Sequence, residues 1–222
     1  SEERLRRAHR RATLMDAGVQ LERQTQGPLD LPRHDLEIDV DIETSSDDRV
    51  YLWGFWVDDP SRGEPYGRQF ATFADLDDAA ELDLARRALG WLRQVVAGRD
   101  AAVYHYSDYE VIRLNRLAHR LGEVGTWATT WAADGFVDLF EVVRRNYFGA
   151  NGLGLKVVTA AVTGFAWRDE DPGGLNSQSW FAEAVGDPDE RVRELARVRV
   201  LEYNEDDVRA TWHLRRWLRE QA

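Results

Sequence analysis

The chain has 222 residues and a formal net charge of −11, with 29 basic against 40 acidic side chains. This length suits one large α/β domain, or one domain with a short appended arm. The acidic total argues against a protein that holds nucleic acid by broad neutralisation of phosphates. The absence of cysteine excludes disulfides and thiolate metal sites, and it favours a reducing, cytoplasmic setting. No apolar run approaches the length that a membrane span requires.

The first 34 residues are predicted to form a basic arm or linker ahead of the folded domain. Residues 1–26 combine a helical pattern that carries five arginines with a polar stretch. The helix is interpreted either as a contact for nucleic acid or as a solvated linker from a larger protein. Glycine and prolines between residues 27 and 33 mark a loop. The folded domain is therefore expected at residues 35–222.

Strict alternation of apolar and acidic residues predicts a β-strand that begins at Leu36. One face carries Leu36, Ile38, Val40 and Ile42, and the other carries Glu37, Asp39, Asp41 and Glu43. A turn at 45–48 and strands at 50–57 and 66–72 complete an antiparallel meander. Gly54, inside the second of these strands, is typical of a bulge.

The rest of the chain alternates between helical and strand-like patterns. Helices are predicted at 77–97, 109–121, 141–147, 155–162, 179–185 and 189–219, and strands at 101–104 and 135–139. In the last helix, Val192, Leu195, Val198 and Leu201 are predicted to face inward. Three successive strands followed by alternating helices and strands imply an α/β fold with a mixed sheet and helices packed on it.

Asp41 and Glu43 lie two residues apart, so both project from the same face near the C-terminal end of the first strand. This pair suits two oxygen ligands for a hard cation such as Mg²⁺ or Mn²⁺. The alternative is a solvated acidic face, because four unpaired carboxylates on a buried face would repel each other. Glu37 and Asp39 are predicted to face solvent, outside any site.

Tyr203 and Asp207 lie four residues apart on the last predicted helix, which places them on one face. A tyrosine can hold or deprotonate a water while the aspartate binds a metal that lowers the pKa of that water. The alternative is a polar helix face with a packed tyrosine. Asp206 points about 100° away around the helix and is expected to be solvated.

The segment from Tyr104 to Glu110 runs from a buried strand into a helix, and a carboxylate there is placed to complete the site. The structural alternative is that Asp108 caps the helix and Glu110 is an acid of its first turn.

In chain order, these three signals resemble the motifs of the DEDD superfamily of 3′–5′ exonucleases. Asp41-Ile42-Glu43-Thr44 looks like the first motif, 104–110 stands where the second belongs, and Tyr203-x-x-x-Asp207 resembles the tyrosine form of the third. More narrowly, residues 35–218 are similar to the predicted exonuclease domains fused to RecB-type nucleases. Glu110 departs from the usual aspartate of the second motif, and His105 stands where an asparagine is common.

The resemblance implies a ribonuclease H-like fold, with a mixed five-stranded sheet of meander and parallel strands flanked by helices. It also implies hydrolysis of single-stranded nucleic acid from the 3′ end, with two divalent cations, Mg²⁺ or Mn²⁺. Asp41 would bridge both metals, while Glu43 and Asp207 would bind the one that activates water. Glu110 would support the second metal through its water shell, and Tyr203 would orient the attacking water.

Lys156 and His105 are the candidate substrate-binding residues. Lys156 is placed to contact a phosphate, or else it is an exposed lysine at a helix start. The expected partners are a DNA or RNA 3′ end and further domains covalently attached to this chain, with no membrane. Two other functions stay open. One is a catalytically weak or inactive ribonuclease H-like module that binds nucleic acid or a partner nuclease, and the other is a structure-specific endonuclease.

Overall fold

The computed structural model describes residues 2–221. Within that range the strands are Leu21–Arg23 (β1), Leu36–Thr44 (β2), Val50–Asp58 (β3), Tyr66–Ala71 (β4), Ala101–His105 (β5), Phe136–Asp138 (β6) and Tyr147–Gly149 (β7). The helices are Glu2–Asp16 (α1), Asp78–Val96 (α2), Tyr109–Ala118 (α3), Glu123–Gly135 (α4), Leu139–Asn146 (α5), Leu155–Thr163 (α6), Gly174–Gly186 (α7) and Glu190–Glu220 (α8).

Five strands form one mixed sheet in the order β4-β3-β2-β5-β6. β2, β3 and β4 are antiparallel neighbours, whereas β2, β5 and β6 run parallel. β5 pairs with β2 only from Leu36 to Asp39, so the C-terminal half of β2 extends beyond its parallel neighbour. These observations confirm the predicted α/β class, and they leave a crevice beside the end of β2 that carries the candidate ligands.

The two faces of β2 are both covered by helices. The apolar face packs into the main core against α2, and the acidic face lies under α8. Glu37 and Asp39 are only 7% and 0% exposed, so the prediction that they face solvent is wrong. Arg215 of α8 donates to both oxygens of Asp39, at 3.0 and 2.8 Å, and also pairs with Glu37. This cation lies 176 residues from Asp39 along the chain, where no local pattern reveals it.

α8 covers the sheet with a different stripe from the predicted one. Leu195 and Val198 are 64% and 44% exposed, so the expectation that they face inward is wrong. Val192, at 36%, is exposed as well. The buried side instead runs through Ala196 and Val200, because that row is the one that packs on α7. It continues into the polar residues near Tyr203, which lie over the acidic face of β2.

Three local features differ from expectation. Residues 123–135 form α4, although Gly, Thr and Trp in this segment are weak helix formers; the helix is held by packing against α2 and α3. α7 begins at Gly174, earlier than the predicted start at Ser179. Gly54 pairs in register with Asp41, and the irregularity lies between Glu43 and Thr44 instead.

The basic arm packs on the domain through a small second sheet. β1 pairs antiparallel with β7, and the Gln24 amide donates to the Asn146 carbonyl at 2.8 Å. Leu14 and Leu31 are each 8% exposed, whereas most of α1 faces outward. The division of the chain at residue 34 stays a prediction. Among the described helices, none is both long enough and apolar enough to cross a bilayer.

Candidate metal centre

A cavity of about 280 Å³ lies at the C-terminal end of β2, and we call it the carboxylate cavity. Its walls come from β2, from the starts of α3, α6 and α7, and from the middle of α8. Such crevices at the carboxyl ends of strands are where open α/β sheets bind ligands. The acidic side chains that line it are Asp41, Glu43, Glu110 and Asp207.

Three of these carboxylates converge. Asp41, Glu43 and Asp207 each offer an oxygen, and the three oxygens lie within 4.8 Å of one another. Glu43 and Asp207 are 6% and 5% exposed, respectively, and Asp41 is half-buried. The alternation of β2 aims the first two at the same space, and α8 crosses the strand so that Asp207 meets them.

Glu43 is oriented by α7. Ser177 donates from its Oγ to Glu43 Oε2 at 2.8 Å. Ser177 Oγ in turn shares a hydrogen bond of 2.5 Å with the Tyr51 hydroxyl, from the neighbouring strand. Both residues are completely buried, so this chain holds the Glu43 carboxylate in one orientation.

Asp41 is oriented by α8. Asn204 donates from Nδ2 to Asp41 Oδ2 at 2.8 Å, and its Oδ1 accepts from Gln69 Nε2 at 3.1 Å. The amide fits because position 54, opposite Asp41 on β3, is glycine. A Cβ at Gly54 would lie 1.9 Å from Asn204 Oδ1, far closer than two such atoms approach. Gly54 therefore makes room for the side chain that positions Asp41.

Asp207 receives its hydrogen bonds from the other side of the cavity. Lys156 Nζ lies 2.8 and 3.1 Å from its two oxygens and donates at 3.1 Å to the Tyr203 hydroxyl. Trp167 Nε1 donates to Asp207 Oδ1 at 2.6 Å. The next residue, Arg168, donates through Nε to Asp206 at 3.0 Å and thereby anchors the tryptophan.

The carboxylate cavity is lined by more acidic side chains than the single charge of Lys156 can balance. Burial and the Asp207 carboxylate raise the pKa of Asp41, and burial and the Asp41 carboxylate raise the pKa of Glu43 well above its usual value. Burial, followed by the nearby carboxylates, also raises the pKa of Tyr203. Without a cation its phenol therefore stays neutral at physiological pH and can donate or accept a hydrogen bond.

Glu110 enters the cavity from the first turn of α3. It is 4% exposed, and its Oε2 has no hydrogen-bond partner in residues 2–221. Burial and the Asp41 carboxylate raise its pKa well above the usual value. The preceding turn passes through Ser107 at φ 83°, where Asp138 accepts from the Ser107 amide at 2.9 Å. This turn aims Glu110 at the other carboxylates.

The structure brings most of the predicted site residues to one place. The cavity lining includes the four acids together with Lys156 and Tyr203. His105 does not line the cavity. It is 3% exposed, and its Nδ1 lies 2.5 Å from the Ser107 carbonyl and 3.7 Å from Glu110 Oε2. It supports the turn from beneath rather than facing the space where a substrate fits.

Sequence reasoning missed several residues and misplaced one. Asp206 is 2% exposed and paired with Arg168, so the expectation that it is solvated is wrong. The missed residues are Asn204, Ser177, Gln69 and Trp167. Asn204 stands beside Tyr203 in a polar run, which was a usable signal. Ser177 and Trp167 lie in segments with no motif, and only the tertiary fold relates them to the carboxylates.

A sequence model of a protein family, RNase_H_2, described as the RNase H superfamily, matches residues 39–219 of the chain. The chain belongs to the RNase H superfamily. No curated protein and no solved structure shows significant similarity to it. The matched range begins at Asp39 and includes most of β2 and of α8, so the family match covers the parts of both elements that carry the converging acids of this RNase H-like domain.

The RNase H fold typically works with divalent metals, and the residues present here fit such ions. The donors are hard carboxylate oxygens, which Mg²⁺ and Mn²⁺ prefer. The unpartnered Glu110 Oε2 and the raised carboxyl pKa values show negative charge that lacks a counter-ion. A bound cation would supply the positive charge that balances these acids, and it would stabilise all four of them in their ionised form.

Proposed function

We propose that this RNase H superfamily member is a metal-dependent 3′–5′ exonuclease that hydrolyses phosphodiester bonds at single-stranded nucleic-acid ends. The observation that carries the proposal is the convergence of Asp41, Glu43 and Asp207, whose oxygens lie within 4.8 Å of one another. Glu110 stands on the same cavity with an oxygen that lacks a partner. Three buried acids and a fourth beside them are costly without cations, so their grouping favours a metal site.

In this proposal Asp41, Glu43 and Asp207 would hold one divalent cation, and Asp41 and Glu110 would help to hold a second. Bound there, Mg²⁺ or Mn²⁺ would activate a water and stabilise the negative charge on the phosphate. Asn204 and Ser177 keep the Asp41 and Glu43 carboxylates pointed into the cavity. His105 is a positioning residue, because it holds the turn that precedes Glu110.

Tyr203 and Lys156 are assigned to water and substrate. The neutral phenol of Tyr203 orients the attacking water by a hydrogen bond. The Lys156 ammonium is 3.1 Å from that hydroxyl and sits at the cavity surface with 32% of its side chain exposed. It is therefore placed to donate to a phosphate oxygen once a substrate enters.

The size of the cavity favours action at an end. Its volume of about 280 Å³ is just below the range for pockets that enclose one small molecule, ~300–1,000 Å³. A single terminal nucleotide suits such a cavity better than a duplex does.

The test compares the wild type with Asp41→Asn on 5′-labelled single-stranded DNA and RNA, with Mg²⁺ or Mn²⁺. Asp47→Asn is the matched control, because Asp47 is exposed in the turn directly after β2. We expect the wild type and the control to shorten the substrate stepwise from the 3′ end. Asp41→Asn should be slower by a factor on the order of 10³, because a shared metal ligand is lost.

Each outcome discriminates among the functions that the sequence leaves open. Internal cuts from the first time points would replace the exonuclease by an endonuclease. Tight binding of the oligonucleotide without hydrolysis under either metal would support the inactive module. Equal hydrolysis by the wild type and Asp41→Asn would show that the activity comes from elsewhere.

A further inference from the structure

A second cavity of about 510 Å³ lies between α1, α5, β7 and the segment 152–154. We call it the arginine cavity, because Arg7 and Arg144 line it and no carboxylate does. Its apolar lining includes the rings of Phe140 and Phe148. The cavity therefore combines cations and aromatic rings in a chain with a net charge of −11.

The segment 153–155 forms a wall that borders both cavities. Gly154 lines the arginine cavity, and the next residue, Leu155, lines the carboxylate cavity; consecutive Cα atoms are 3.8 Å apart. Tyr106 lines the carboxylate cavity and joins this wall, because its hydroxyl donates to the Leu153 carbonyl. Its ring packs edge-on against Phe140, with centroids 5.6 Å apart. The two cavities are therefore neighbours across this wall.

The cations are available to an anionic ligand to different degrees. Arg7 makes no ion pair within the described chain; its guanidinium lies over the Phe148 ring, 5.9 Å from the centroid. Arg144 pairs with both carboxylate oxygens of Glu141, at 2.9 and 2.7 Å, so an anionic ligand would compete with Glu141 for it. Arg10, over the same phenylalanine ring, is tied to Glu22 at 2.5 Å. Arg7 is therefore the main unpaired charge of the cavity.

We propose that the arginine cavity binds the part of a single-stranded nucleic acid that adjoins the nucleotide held in the carboxylate cavity. Arginines that neutralise phosphates beside rings that stack on bases are the usual means by which proteins hold single strands. The inference rests on the proposed function, since the carboxylate cavity must hold the end of the strand. It gives a role to α1, which precedes the family match at residues 39–219.

The experiment measures binding of a fluorescent 12-nucleotide oligothymidylate by anisotropy, in EDTA so that no hydrolysis occurs. The variant is Arg7→Gln with Arg144→Gln. The matched control is Arg6→Gln with Arg145→Gln, which removes the same charge from neighbouring positions on the same helices. The control side chains are 75% and 71% exposed, and neither lines the cavity.

We expect the cavity variant to bind about tenfold more weakly, and the control to bind like the wild type. The slope of log K against log salt should fall by roughly 1.4 in the variant, about 0.7 for each lost phosphate contact on a single strand. Equal effects of the two pairs, or no effect of either, would overturn the proposal. So would equal competition by polyglutamate, which would make the cavity a site for acidic protein segments.

Failure of this inference can be told apart from failure of the proposed function. If the wild type hydrolyses the oligonucleotide and Asp41→Asn does not, while both arginine variants bind alike, only the arginine cavity is excluded. If no protein hydrolyses any substrate, the binding experiment in EDTA still reports on the arginine cavity. Unfolding temperatures of all variants, measured beside the wild type, show whether a loss of binding reflects a loss of fold.

Discussion

The two ends of β2 carry the same chemistry in opposite electrostatic states. At the N-terminal end, Glu37 and Asp39 are buried against Arg215, which is itself 0% exposed. At the C-terminal end, Asp41 and Glu43 face another carboxylate, with Lys156 as the nearest cation. One helix, α8, covers both ends, yet it presents arginine to one and aspartate to the other.

The comparison between the two ends of β2 shows two different roles for buried acids. Burial raises the pKa of Glu37, but Arg219 and Arg215 outweigh it and lower the pKa overall. At Asp39 burial outweighs Arg215 and raises the pKa to about 6, less far than the pKa of Asp41, which burial and Asp207 raise to about 8. At the other end, neutral donors from Asn204 and Ser177 orient the acids but do not balance their charge. A balanced cluster of buried charges helps to fix the helix on the sheet, whereas an unbalanced cluster of carboxylates favours the binding of a cation.

The largest expected effect comes from removing the cation at the balanced end. Arg215→Met should leave Glu37 and Asp39 buried without their main partner, and it should lower the free energy of unfolding by about 3–5 kcal/mol. Urea unfolding measures this loss. Arg216→Met, at the exposed neighbouring position, is the control and should change the stability by less than about 0.5 kcal/mol. A small effect at Arg215 would mean that the two ends differ less than their contacts indicate.

A second prediction concerns the neutral donors at the unbalanced end. Gly54→Ala places a Cβ 1.9 Å from Asn204 Oδ1, so the amide must leave Asp41. We expect a loss of about 2 kcal/mol in the free energy of unfolding and weaker Mn²⁺ binding by calorimetry. Gly90→Ala is the control, because a Cβ there meets nothing within 4 Å, and it should stabilise helix α2 slightly. Unchanged Mn²⁺ binding in Gly54→Ala would show that Asn204 does not contribute to metal binding.

A third prediction compares the same substitution at both ends. Without metal, Asp41→Asn should raise Tm at pH 8 by about 2–4 °C, equivalent to ~1 kcal/mol, because it removes a buried repulsion. Asp39→Asn should lower Tm, since it takes a partner from buried Arg215. The folded-state pKa of Asp41 is raised, to about 8, so the stability it contributes is fully present below about pH 4 and is lost as pH rises toward 8.

The gain from Asp41→Asn should therefore shrink as pH falls and vanish near pH 4. Adding Mn²⁺ should raise the Tm of the wild type by mass action and leave that of Asp41→Asn almost unchanged. Two substitutions that shift Tm in the same direction at pH 8 would contradict the contrast between the ends of the strand.

Residue spacing within an element was enough to predict the parts of the site that lie on one element. The alternation of β2 places Asp41 beside Glu43, and the helical period of α8 places Tyr203 beside Asp207, because strand and helix geometry are local. The same rules predicted the meander and most helices. They gave no sign that Asp39 is buried against a cation, because Asp39 and Asp41 lie on the same face of β2 and each stands between two β-branched residues.

What distinguishes those two aspartates is the residue that each meets on α8, and that depends on how the helix crosses the sheet. Asn204 lies 163 residues from Asp41, and Arg215 lies 176 from Asp39. Such pairings are set by tertiary packing, for which a single sequence carries no periodic signal. The prediction of which face of α8 points inward was wrong for the same reason. The position of α7, rather than aliphatic content, decides which residues near Ala196 are buried.

The smallest expected effect concerns Lys156, the cation that lies nearest the unbalanced end. Its ammonium bonds to both oxygens of Asp207, at 2.8 and 3.1 Å, and so competes with a metal for that ligand. Its side chain is 32% exposed, and such partly solvated pairs contribute about 0.2–1 kcal/mol. We therefore expect Lys156→Met to bind Mn²⁺ about two- to fivefold more tightly by calorimetry. Lys156→Arg, which keeps the charge, should bind Mn²⁺ like the wild type.

If hydrolysis slows in Lys156→Met while Mn²⁺ affinity rises, the lysine acts on the substrate rather than on the metal. Weaker Mn²⁺ binding would instead show that the ammonium helps to hold Asp207 in place for the cation.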